Sequence, residues 1–422
     1  MGTDGDSTHQ GNGVPGKHPY KGRTTAFDLF LTHKLLALAG DPPISIVLWN
    51  GTEIPCRAGR PVGSLIIHDR GALIKLLVNP DLCFGDLYSS GRVSVEGDLP
   101  QFLEAVYYAL EFAQSRARAF KLLRCWQCRP RSNTLSGSAA NIHHHYDIGN
   151  DFYRLWLDRD TMQYTCAYFA DPDMTLEQAQ LAKIHHVCRK LQLKPGETVV
   201  EAGCGWGAQA LIMAKEYGVK VRAYNISHEQ IRYAREKLKT ENLQDQVEYI
   251  EDDYRNITGE YDVFLSVGML EHVGRDHYHN LGSVINQVLK PRGRGLIHNI
   301  GQNTSQPFNP WIEKRIFPGA YPPTLKEMMA IFEPWSFSIL DVENLRLHYA
   351  RTLEHWLARF EEHIDQIREM FDEEFIRSWR LYLAGSIPAF STGSLQLFQV
   401  VFARPQKNDI PWTRAHLYLP MN

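Results

Sequence analysis

"TVVEAGCGWG", residues 198–207, is a short apolar run that ends in three glycines, Gly203, Gly205 and Gly207, spaced as G-x-G-x-G. A helical pattern, "AQALIMAKEYG", follows at once. Glycine is needed where a backbone must turn sharply and approach a ligand with no Cβ in the way. Buried strand, glycine loop and helix in that order read as a nucleoside-binding turn; a tight structural turn is the plain alternative. A dinucleotide fits poorly, because the G-x-G-x-x-G spacing is absent and the next strand, "KVRAYNIS", ends without an acid.

Outward from this turn, "VEYIEDD", "YDVFLSVGM" and "GLIHNIG" read as further strands, separated by helical runs such as "HEQIRYAREKLKTEN". This alternation implies an α/β domain with a parallel sheet covered on both faces. "LQLFQVVFA" is a sixth strand, preceded by a charged and aromatic helical region from about Arg351 to Phe390. Upstream, "ISIVLWNG", "VGSLIIHD" and "GRVSVEG" alternate with the helical stretches "GALIKLLVNP" and "LPQFLEAVYYALEFAQ", a smaller α+β module. The expected division is a disordered tail over 1–23, an N-terminal domain over 24–125, a linker over 126–142, the main domain over 143–405 and a C-terminal tail over 406–422.

With 422 residues, 44% of them hydrophobic, the chain has ample material for two cores. Its formal charge of -3 excludes a generally basic nucleic-acid binder. Seven cysteines scattered from Cys56 to Cys204 suggest a reducing compartment rather than disulfide staples. Neither a signal-type apolar segment nor a membrane-length run is visible, so the expected location is cytoplasmic, soluble or peripheral to a membrane.

Within "FLSVGMLEHVG", residues 264–274, Glu271 and His272 follow an uncharged run and are carried to the edge of a core. A charge there costs stability unless it is paired or used. Ser227 and Gln230 have capping-box spacing and also border the expected ligand crevice. Asp252 and Asp253 follow the third strand at the same edge, where a carboxylate can accept from an adenine amino group; a solvated turn is the alternative.

"HYDIGNDFYRLWLD", "MQYTCAYF", "EAGCGWG", "NISHEQ", "SVGMLEHVG", "LIHNIG", "NPWIEKRIFPGAYPP", "LHYARTLEHW" and "LQLFQVVFA" occur in order between about His144 and Phe402. In these motifs the chain resembles the S-adenosylmethionine-dependent cyclopropane fatty acid synthase family, which includes the mycolic acid cyclopropane synthases. The resemblance implies a Rossmann-like methyltransferase domain behind a smaller N-terminal α+β domain. It also implies transfer of a methylene carbon to a cis double bond, with bound bicarbonate as base. The module around "NPDLCFGDLYSSGRVSVEGD" is similar to the lipid-binding-type domain of bacterial phospholipid-acting members, so unsaturated phospholipid acyl chains are the expected substrate.

Carried over by motif, Glu271 is the acceptor in the bicarbonate cage, His298 and Tyr349 are donors, and Cys166 contributes mainly through its backbone. Tyr164, Thr165, Glu201, Gly203, Gly205, Gly207, Ser227, Gln230 and Asp253 are the expected cofactor-binding residues. Tyr164 and Phe317 offer ring faces to a passing cation. Thr165 stands where the family often has Ser, Glu201 where it usually has Asp, and Ser386 where it often has Cys. Taken singly, His298 also reads as a core histidine, Tyr349 as a helix anchor and Cys166 as a small buried hydrophobe.

From Ser115 to Tyr146 no acid occurs, while Arg116, Arg118, Lys121, Arg124, Arg129 and Arg131 interleave with Phe120, Leu122, Leu123 and Trp126. This suits an anionic membrane surface, with a solvated basic helix as the alternative. Cys125 and Cys128 form a lone C-x-x-C near His143, His144 and His145, too little to assign a metal. A homodimer is the assembly kept in view. The competing functions are a fatty-acyl C-methyltransferase making methylene- or methyl-branched chains, a small-amine N-methyltransferase and a non-catalytic lipid-binding protein.

Overall fold

The computed structural model describes residues 22–57, 59–116 and 148–418, without the side chains of 111–116. Residues 1–21, the expected linker, nearly all of the basic stretch and the C-x-x-C with its neighbouring histidines lie outside them.

The main domain is built on a seven-stranded sheet: β5 (Thr198–Ala202), β6 (Lys220–Asn225), β7 (Val247–Glu251), β8 (Tyr261–Val267), β9 (Leu289–Gly301), β10 (Ser338–Asn344) and β11 (Gln396–Ala403). Its order is β10-β11-β9-β8-β5-β6-β7. Five strands run parallel, as expected, whereas β11 lies antiparallel to both β9 and β10. The sheet is therefore mixed, which corrects the wholly parallel expectation. After β9 the chain spends nearly a hundred residues on helices and β10 before β11 enters between β9 and β10. Every residue of β11 is buried, Gln396 and Gln399 included, in an otherwise apolar sequence. Strand β10, "SILDVEN", escapes the sequence reading because it is a polar, half-exposed edge.

Helices α5 (Asn150–Trp156), α6 (Leu176–Leu191), α7 (Ala208–Tyr217), α8 (His228–Glu241), α9 (Leu270–Val273), α10 (Tyr278–Val288), α11 (Pro310–Arg315) and α12 (Leu325–Phe332) precede β10. The charged and aromatic region before β11 forms α13 (Arg346–Glu362), α14 (Ile364–Met370) and α15 (Glu373–Ser391). Helix α6 begins with a full capping box from Thr175 and Gln178, which fixes its entry onto the sheet. Beyond β11 the chain stays packed: Arg414 pairs with Asp341 on β10, and Lys407 and Leu417 are buried.

The N-terminal domain contains α1 (Ala26–Leu38), β1 (Ser45–Leu48), β2 (Glu53–Ile54), β3 (Ser64–Ile67), α2 (Arg70–Val78), α3 (Pro80–Ser89), β4 (Val93–Glu96) and α4 (Leu99–Arg116), its sheet ordered β2-β1-β3-β4. It shares one continuous apolar core with α13 and α15. Arg377 of α15 donates to the carbonyls of Tyr88 and Val93, and Arg315 pairs with Asp86. Gly85 lies flat on Trp311, where a Cβ would come within 2.3 Å of the indole. We expect Gly85→Val to cost about 1–3 kcal/mol through this clash. Thermal unfolding, with limited proteolysis to report the N-terminal domain, checks it.

Candidate active site

Strands β5, β6 and β8 end on one edge of the sheet, and the loops after them enclose a cleft. Its wall includes Gln163, Tyr164, Thr165, Glu201, Gly203, Gly205, Asn225, Gln230, Asp252 and His272. Gly203 has φ +86°, and a Cβ there would press on Met269. Gly207 has φ +87° and does not line the cleft; a Cβ on it would strike the hydroxyl of Tyr249 at 2.5 Å, the group that donates to its carbonyl. Gly207 thus closes the turn while Gly203 and Gly205 face the ligand space.

Ser227 caps α8 by accepting from the Gln230 backbone, but the reciprocal half of the expected capping box is missing. Gln230 instead uses its side-chain oxygen to accept from Asn225 at 2.8 Å, and both line the cleft while Ser227 does not. The two acids also separate. Asp252 lies on the wall, whereas Asp253 turns away to cap a short turn and pair with Arg255.

Beneath the cleft, α6 supplies a fully buried cation. Lys183 donates to Gln163 and, at 3.0 Å, to the hydroxyl of Thr165, and Gln180 donates to the Thr165 carbonyl at 2.8 Å. Burial lowers the Lys183 pKa to about 8 and raises that of Glu201 to about 8, with the Lys183 charge opposing the latter rise. Glu201 Oε2 is buried with no hydrogen-bond partner among the described residues. The sequence reading missed Lys183, Gln163 and Asn225. Lys183, on a helical apolar face, was the one whose charge left a readable signal.

A second group of polar atoms gathers at the ends of β8 and β9. In α9, Glu271 is buried, its Oε1 accepts from the Ile300 backbone at 2.6 Å, and Oε2 has no partner among the described residues. Burial raises its pKa to about 7. His298 belongs to a row across the sheet, Val267, His298, Gln399 and Glu343, on the face covered by α6. Gln399 Nε2 lies 3.0 Å from His298 Nδ1, a contact that is a hydrogen bond in the tautomer carrying the ring hydrogen on Nε2. That Nε2 is buried without a partner among the described residues. Burial first, then the charges of Lys183 and Lys190, hold His298 far below its usual pKa, so the ring is neutral.

Cys166 is fully buried and its thiol turns to the carbonyls of Ala167 and, at 3.8 Å, Leu345, just before α13. Burial pushes its pKa up, which leaves a neutral thiol. Tyr349, one turn into α13, is buried with its ring 4.5 Å from that of Phe390. Lys183 is a charge felt by both Cys166 and His298, opposing the rise at the thiol and adding to the fall at the imidazole. Tyr164 reaches the site edge through a hydrogen bond to Tyr382 and lies among Tyr153, Trp156, Trp356 and Phe317. His272, which reads from sequence as supporting or structural, lies on the cleft wall, its pKa lowered to about 4 by burial. Ser386 is engaged within α15, donating to the Tyr382 carbonyl.

Residues 134–400 match the family model described as mycolic acid cyclopropane synthetase. A probable fatty acid methyltransferase of Pseudomonas putida is 34% identical over 391 residues, 89% of this chain and 96% of its own. The cyclopropane-fatty-acyl-phospholipid synthase of Escherichia coli (strain K12) is 41% identical over 267 residues, 63% of this chain and 68% of its own. Among solved structures, mycolic acid cyclopropane synthase CmaA1 complexed with SAH and CTAB aligns with a TM-score of 0.60 at 29% identity, covering 63% of this chain and 98% of its own. The chain belongs to the mycolic acid cyclopropane synthetase family and is an S-adenosylmethionine-dependent lipid methyltransferase of the cyclopropane fatty acid synthase type.

Proposed function

We propose that this enzyme adds a methylene carbon across the cis double bond of an unsaturated phospholipid acyl chain, working in the cytoplasm at the inner membrane surface. Glu271 Oε2 and His298 Nε2, both buried and without a partner among the described residues, carry this reading, because a small guest that both donates and accepts would satisfy them. A bicarbonate ion would fit such a place: Glu271 would accept from its O–H, His298 and Tyr349 would donate to its anionic oxygens, and the backbone near Cys166 would help hold it. When bound, S-adenosylmethionine supplies an electrophilic sulfonium methyl, and bicarbonate supplies a base that takes one proton from the transferred methyl as the ring closes.

The protein's part is placement and protection. Glu201, Gly203, Gly205, Asn225, Gln230 and Asp252 suit the nucleoside and amino-acid portions of the cofactor, with Asp252 better placed than Asp253 for the adenine side. The ring faces of Tyr164 and Phe317 suit the cation that forms on the acyl chain when the alkene electrons take the methyl and the C–S electrons stay on sulfur. A neutral His298 adds a donor without adding positive charge beside that cation.

The extended likeness to a probable fatty acid methyltransferase favours a second reading, in which a hydride shifts between the two former alkene carbons before the transferred methyl loses its proton, leaving a methylene branch, or a neighbouring chain carbon loses the proton, leaving a methyl-branched alkene. Incubation with S-adenosylmethionine and vesicles of a cis-monounsaturated phospholipid, followed by mass spectrometry and NMR of the fatty acids, decides. Cyclopropane ring protons on a product heavier by one CH2 uphold the first reading, and vinylidene or methyl-branch signals the second.

Glu271→Gln should abolish turnover while cofactor affinity, measured by calorimetry, changes little. A carboxyl whose folded pKa is raised from 4.5 to about 7 destabilises the fold increasingly as pH rises through that interval. The same variant should therefore gain roughly 1–3 kcal/mol in denaturant unfolding at about pH 8 and gain nothing at about pH 4. The kcat of the wild-type enzyme should fall as pH drops below about 7, where Glu271 becomes protonated. Lys183→Met should raise the KM for S-adenosylmethionine roughly tenfold, with a smaller change in kcat, because Gln163 and Thr165 lose their shared donor.

A further inference from the structure

The family model matches residues 134–400, and the N-terminal domain lies outside that range. Two of its helices carry an unusual outer face. On α1 the exposed positions are Ala26, Phe27, Phe30, His33, Lys34, Ala37 and Leu38, one helical stripe; Phe27 is 64% and Phe30 54% exposed. On α2, which packs beside α1, the exposed positions are Arg70, Ile74, Lys75 and Val78, with Val78 78% exposed. Neither exposed set contains an acid. The inner faces are ordinary core, with Leu35, Leu36, Leu73 and Leu76 buried, and the buried Asp28 of α1 locks onto Arg70 at 2.7 Å.

We infer that the outer face of α1 and α2 is a membrane-docking surface for an anionic phospholipid bilayer. Large apolar side chains on a surface cost solvation unless something covers them. A bilayer interface covers them while placing adjacent lysines among lipid phosphates. The Lys34 ammonium lies 5.6 Å from the Phe30 ring, so the apolar and cationic elements of this face are interleaved. Charge selects the occupant. The whole chain carries -3 and is repelled by an anionic surface at large, so adhesion requires a local face without acids, which this one provides.

This inference rests on the phospholipid reading above, and its test separates the two. The full chain and a Phe27→Ser/Phe30→Ser/Lys34→Glu/Val78→Ser variant, both with the basic segment from Arg116 to Arg131 intact, are sedimented with phosphatidylglycerol and with phosphatidylcholine vesicles. Turnover is assayed in parallel on vesicles and on detergent-dispersed monounsaturated phospholipid. Circular dichroism and a milder Phe30→Ser variant guard against misfolding. Docking by this face requires wild-type binding that is stronger on the anionic vesicles, weakened by salt, and reduced about tenfold or more in the variant. It also requires that turnover on dispersed lipid be kept. Equal vesicle binding by folded variant and wild type, or no binding by either, overturns the inference. A change of oligomeric mass in the variant with vesicle binding unchanged also overturns it and assigns the face to self-association. Wild-type binding that depends on this face without turnover on any lipid upholds docking and overturns the phospholipid reading instead.

Discussion

The parallel pairing of β8 with β9 governs the rest of the site. Val267 lies beside His298, and the Gly268 backbone donates to the His298 carbonyl at 2.8 Å. The chain leaves β8 through Gly268 at φ +72° and forms the single turn of α9, from which Glu271 returns to the Ile300 backbone. A glutamate on one strand exit and a histidine on the next are thereby fixed to the same edge without any direct bond between them. Loss of that register by one residue would move His298 to the opposite face of the sheet and away from α6.

Burial sets the protonation states that this edge needs. Glu271, Glu201, Lys183 and His298 are all withdrawn from water, and each is pushed toward its neutral form. For the acyl-chain cation proposed above, a neutral His298 is the favourable form because an imidazolium would repel it, while Glu271, raised only to about 7, still ionises and can accept a hydrogen bond. The same burial costs stability, and the shared core of α13, α15 and the N-terminal domain offsets it with a dense aromatic cluster.

Much of this was legible in local sequence. The glycine loop, six of the seven strands and the alternating helices follow from periodicity and turn chemistry, and Glu271 stood out as a charge closing an apolar run. Polar edges were not legible in the same way: "SILDVEN" is short, polar and half-exposed, and its partner β11 enters far along the chain. Nor could adjacent residues of similar chemistry be told apart. Asp252 and Asp253 differ only in which way a short turn rotates them.

The sequence by itself determined the α/β class, the presence of a nucleoside loop and the residue types available for catalysis, because these depend on local backbone preference and on short-range patterning. Only the tertiary structure decided that β11 runs against its neighbours, that Lys183 lies under Thr165 and Gln163, and that Glu271 and His298 share one edge. Those facts rest on contacts between segments distant in the chain, where the cost of burying a polar group is settled by whichever partners the fold brings to it.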